Sequence, residues 1–99
     1  MKSALVALAV FAAAPAMAAP DPVRLEHLLR QDCGACHGMT LKGGLGSPLL
    51  PEALAGKSEA SLAQTILDGR PGTAMPPWRG LLSEEEVQWI VHTLKEAKP

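Results

Sequence analysis

The sequence predicts an all-α fold of three to four short helices. Apolar residues recur at helical spacing in three stretches, near positions 25–29, 62–67 and 87–94. The segments between them, 39–56 and 70–82, are rich in glycine and proline and hold no sustained period. No run alternates apolar and polar residues as a half-buried strand would.

At the N-terminus, Lys2 precedes a small and apolar run from Ala4 to Ala14, and Ala16-Met17-Ala18 forms an A-x-A cleavage site. This pattern is expected to be a secretory signal peptide over residues 1–18, leaving a single domain at 19–99. The run is too short to cross a bilayer, which takes about 20 apolar residues. Export is therefore expected without a retained membrane span.

Pro20-Asp21-Pro22 breaks the chain and caps the next segment. From Val23 to Arg30, Leu25, Leu28 and Leu29 fall at helical spacing, so a short helix is expected, with His27 on its surface. It runs into Cys33-Gly34-Ala35-Cys36-His37, a C-x-x-C-H pattern of the kind that attaches haem covalently. Positions three apart share a helical face, so the two thiols can meet two vinyl groups of one porphyrin, and His37 is carried to the iron. A zinc site lacks ligands, because these are the only 2 cysteines and His27 and His92 are isolated. A thioredoxin-like dithiol would want a preceding strand; a simple disulfide remains the bland alternative.

Residues 39–56 are expected to be a loop wrapping the cofactor, without an element of its own. Gly43, Gly44 and Gly46 do not make a phosphate-binding fingerprint, since no strand precedes them and no Lys-Ser/Thr pair follows. A second helix is expected over Lys57–Gly69, with Ser58 and Ser61 as candidate N-caps, a stripe at Leu62, Ile66 and Leu67, and Gly69 ending it. The last helix starts at Ser83, where Glu86 completes a capping box. Val87, Ile90, Val91 and Leu94 share one face, and Trp89, about 200° from Val87, is expected to pack on a neighbouring loop.

The far side of the iron decides the chemistry, because a second strong protein ligand makes an electron carrier and an open position permits ligand binding or catalysis. Met75 lies 38 residues beyond His37, in a loop stiffened by Pro76 and Pro77. That separation lets the chain pass round a porphyrin. Met39 is too close to His37 to reach the other face, and His92 sits within the last helix. His37 and Met75 are thus the expected axial ligands, and no distal acid, base or hydrogen-bonding cluster supports an enzyme at an open iron.

Charge points away from nucleic acid. Without Lys2 the chain has 8 basic and 10 acidic residues, a formal −2. The domain is small enough to need a staple, and the haem would serve as one.

Across the whole mature chain, the order short helix, Cys33–His37, loop, helix, Met75-Pro76 and capped final helix resembles a class I monohaem cytochrome c. Its short length, Cys33-Gly34-Ala35-Cys36-His37-Gly38 and Met75-Pro76-Pro77-Trp78 resemble the small NirC-type cytochromes encoded with the haem c/haem d nitrite reductase of denitrifying bacteria. The resemblance implies haem c, a periplasmic location, and service to nitrite reductase as electron donor or to a haem d maturation enzyme as redox partner. It also implies that the carbonyl of Pro48 accepts the His37 ring N–H, and that Leu50 and Trp78 belong to the haem environment. One departure is Thr93, where the family has an aromatic residue that packs on the first helix. A monomer is expected, and the long glycine-containing loops leave helix exchange between two copies open.

Overall fold

A computed structural model describes residues 3–9 and 19–97. The Ala16-Met17-Ala18 site and the end of the apolar run lie outside the described residues. Among those described, no helix is long and apolar enough to cross a membrane.

The described structure is helical throughout, without strands. Helix α1 covers Pro22–Leu28. Asp21 caps it by accepting the Val23 and Arg24 N–H groups, and Pro22 stands in the first turn, where its missing N–H costs nothing. The helix continues through one π turn, Leu29–Cys33, in which the Gly34 N–H reaches back to the Leu29 carbonyl, and then into α2, Gly34–His37. Leu25 and Leu29 are buried while Cys33 packs on the edge of the core. The π turn inserts one extra residue between the core-facing leucines and the C-x-x-C-H segment, and so sets how that segment is rotated.

The stretch 39–56 holds an element that its lack of periodicity hid. Pro51–Leu54 forms α3, begun by Pro51 at a first-turn position and anchored by Leu54, which is buried. Four residues are too few to display a helical period, so burial against α5 decides the conformation.

Helix α4, Glu59–Asp68, is capped by Ser58, whose hydroxyl accepts the Ser61 N–H at 3.1 Å. It stops at Gly69, with φ at +69°. Helix α5, Glu84–Glu96, carries the full capping box between Ser83 and Glu86. Its expected stripe, Val87, Ile90, Val91 and Leu94, is buried. Trp89 lies half-buried against the same cluster.

Helices α4 and α5 form the main pair, and α3 seats on α5. The buried core is aliphatic, with no buried polar or charged side chain among the described residues. At the position near Thr93 no aromatic ring joins the first and last helices. Instead Leu25 enters the core, and Arg24 pairs with Glu86, whose other oxygen completes the cap of α5.

Candidate haem site

The site begins where α2 ends. Cys33 is half-buried, Cys36 exposed and His37 half-buried, and both thiols are free. Burial, with the Asp32 carboxylate adding to it, pushes the Cys33 thiol up to about 11. Redox-active dithiols and zinc ligands need the opposite shift, toward thiolate. The raised thiol therefore speaks against a redox-active dithiol and a zinc site at Cys33.

Four residues of helix leave carbonyls without partners, and the following loop supplies them. Gly43 N–H donates to the His37 carbonyl at 2.8 Å, and Gly46 N–H to the Cys36 carbonyl at 2.7 Å. This folds the loop back over the imidazole. A Cβ on Gly46 would stand 2.7 Å from His37 Nδ1, and one on Gly44 would stand 2.8 Å from the Cys36 carbonyl. Only backbone fits there.

His37 Nδ1 lies 2.7 Å from the backbone carbonyl of Ser47. A carbonyl can only accept, so Nδ1 carries a proton, and in the neutral ring the lone pair is then on Nε2. The acceptor differs by one residue from the Pro48 carbonyl that the resemblance implied. The physical reason is that a proline holds the residue before it in an extended conformation. Pro48, whose ring lies against Gly43, thus constrains Ser47 and leaves the Ser47 oxygen aimed at the ring.

Met75 sits half-buried in a second loop whose backbone is tied at both ends. Its carbonyl accepts the Arg70 N–H at 3.2 Å, and its N–H donates to Thr73 Oγ1 at 3.3 Å. Beyond the two prolines, the N–H groups of Trp78 and Arg79 donate to Ile66 and Leu67, closing the C-terminus of α4 at 3.0 Å each. Trp78 lies half-buried on the core, and Leu50 immediately precedes α3. Arg79 donates from both Nε and Nη2 to one oxygen of Asp68, Oδ1, which pins the same corner and raises the guanidinium pKa.

The other candidates are placed elsewhere. Met39 Sδ neighbours Gly34, on the C-x-x-C-H side. His27 is exposed, and His92 is held on the surface between Glu59 and Glu96 at 3.2 and 3.3 Å. Two free thiols one turn apart, an imidazole with one nitrogen free, and a thioether on a braced loop are a donor set that fits a covalently held haem. Sequence reasoning missed the Ser47 carbonyl, the Gly46 contact and the Thr73 hydroxyl. The glycine cluster at 43, 44 and 46 was the one visible sign of the first two.

A family model described as cytochrome c oxidase, cbb3-type, subunit III matches residues 20–92. Cytochrome c55X of Pseudomonas aeruginosa is 57% identical over 82 residues, covering 80% of this chain and 69% of its own. Cytochrome c55X of Paracoccus denitrificans is 51% identical over 94 residues, 91% of each chain. A solved c-type cytochrome NirC superposes with a TM-score of 0.76 at 56% identity, covering 80% of this chain and 96% of that one. The dihydro-haem d1 dehydrogenase NirN, solved in complex with DHE, contains a similar region, with a TM-score of 0.69 and 42% identity over 16% of its length. The fold, the motif and these similarities together make the chain a member of the cytochrome c family, a monohaem cytochrome c of the cytochrome c55X/NirC type.

Proposed function

We propose that this chain is an exported electron carrier whose haem iron is held between His37 and Met75, and that it delivers single electrons to the haem c/haem d nitrite reductase of denitrifying bacteria. Residues 1–18 act as the signal peptide, and residues 19–99 work in the periplasm. Cys33 and Cys36 hold the porphyrin as thioethers. The observation that carries this reading is the fixed orientation of the His37 ring, with Nδ1–H given to the Ser47 carbonyl at 2.7 Å and Nε2 left for a metal.

When bound, haem c supplies a one-electron Fe(III)/Fe(II) couple. The chain's residues determine how that couple is used. The Ser47 carbonyl fixes the tautomer and rotation of His37 and raises its basicity as a ligand. Met75, braced by its neighbours, would be the second protein ligand and so would keep water and small ligands from the iron, where a thioether favours the ferrous form. A closed, rigid ligand set leaves electron transfer as the available chemistry.

Support for the partner comes from the likeness to NirC. The test is to mix the reduced cytochrome anaerobically with the nitrite reductase. Reoxidation that requires both the enzyme and nitrite is expected; a cytochrome that stays reduced under those conditions sinks the proposal.

The similarity to NirN favours a second reading. A dehydrogenase must pass on the electrons it removes, and a one-electron carrier of this type can accept them in turn. Reduction of the oxidised cytochrome by a dihydro-haem d1 dehydrogenase, in the absence of nitrite, would assign it to haem d maturation.

A further inference from the structure

We propose that Thr73 is a positioning residue for the iron ligand Met75, holding the thioether in place through the Met75 backbone amide. The inference rests on the reading of Met75 as the sixth ligand and adds what keeps it there.

Arg70-Pro71-Gly72-Thr73 forms a tight turn, closed by the Thr73 N–H donating to the Arg70 carbonyl at 3.0 Å. Gly72, with φ at +81°, occupies the third position, where a proline-led turn of this type requires left-handed backbone. The Thr73 hydroxyl donates to that same Arg70 carbonyl at 2.6 Å and accepts the Met75 N–H at 3.3 Å. The Arg70 N–H donates in turn to the Met75 carbonyl at 3.2 Å. One hydroxyl therefore links the turn to the ligand residue and closes a ring of hydrogen bonds around it.

The remaining freedom of Met75 is removed from the other side. Pro76 and Pro77 fix their own φ angles, and the backbone from Met75 to Pro77 presses on Gly69 so closely that a Cβ there would lie 2.8 Å from three of its atoms. Of the contacts that restrain the Met75 main chain, the Thr73 hydroxyl is the one made by a side chain. Thr73 itself is exposed, and its hydroxyl does not contribute to the buried core. Its removal should loosen the ligand without unfolding the protein.

Thr73→Val keeps the shape of the side chain and deletes the hydroxyl, whereas Thr73→Ser restores the hydroxyl. The probe is imidazole, titrated against the ferric holoprotein, together with the sulfur-to-iron absorption band near the red edge. Loss of one hydrogen bond predicts that Thr73→Val binds imidazole about 3- to 10-fold more tightly, with a weakened band. Thr73→Ser should match the parent throughout, and Thr73→Val should stay folded, its unfolding midpoint lowered by no more than the loss of one hydrogen bond implies, about 4–8 °C. A Thr73→Val protein with parental imidazole affinity and band, or a Thr73→Ser protein as loose as Thr73→Val, overturns the role of Thr73 while leaving Met75 as ligand. Parent protein that binds imidazole as readily as Met75→Ala overturns the ligand reading, and the positioning role with it.

Discussion

A methyl group on Gly46 would stand between 2.7 and 3.2 Å from atoms of the His37 ring, closer than real side chains pack. Gly46→Ala is therefore expected to displace either the imidazole or the Ser47 carbonyl that orients it, at a cost of about 1–3 kcal/mol. Thermal unfolding of the holoprotein measures the cost, and a shifted reduction potential separates ring displacement from distant loop strain. In haem-free protein the two thiols should also part company. With its pKa at about 11 rather than 9.0, Cys33 holds about a hundredfold less thiolate at pH 8 than an unperturbed thiol. Iodoacetamide should label the exposed Cys36 first, and equal labelling rates would contradict the burial of Cys33. Because the fold raises this thiol above its unfolded value, the neutral form favours the fold below about pH 9, and that advantage fades as pH rises through about 11. At this scale Cys33–His37 was legible because the chemistry is written in side chains at fixed spacing. The Ser47 acceptor was not, because every residue carries a carbonyl and only the fold-back of the loop selects one.

Helices were legible in proportion to their length and caps. Helix α5 showed both its stripe and its capping box, and each is present in the structure. Deleting the cap with Ser83→Ala should cost about 1 kcal/mol, a fall of about 4–8 °C in Tm for a domain of this size. Helix α3 was hidden because four residues cannot show a period, yet Leu54 is as deeply buried as the α5 stripe. Leu54→Ala should accordingly cost about 2–5 kcal/mol by thermal or denaturant unfolding. A cost below that of the Ser83 cap would mean that α3 does not anchor the loop. In sequence the Met75 segment is a plain proline and glycine connection. In the fold it is the C-terminal closure of α4, and its conformation depends on carbonyls at Ile66 and Leu67 that no local pattern announces.

For the molecule as a whole, aliphatic packing outweighs surface charge. Arg24 and Glu86 join the first and last helices, but the arginine side chain is 52% exposed. Such a pair is worth at most about 1 kcal/mol. Leu25, next to it and fully buried, should cost about 2–5 kcal/mol when cut to alanine. Arg24→Gln and Leu25→Ala therefore rank two means of docking α1 on α5, and the leucine should dominate. Among the described residues nine buried side chains make a small core for such a domain, so a bound porphyrin would add to the fold as well as to function. The most direct test of a closed, His/Met-ligated carrier is the absorption spectrum of the holoprotein in both oxidation states, with and without carbon monoxide. The ferric protein should show the weak sulfur-to-iron band near the red edge, and the ferrous protein should ignore carbon monoxide. A missing band with immediate carbon monoxide binding would contradict Met75 ligation and the carrier role built on it.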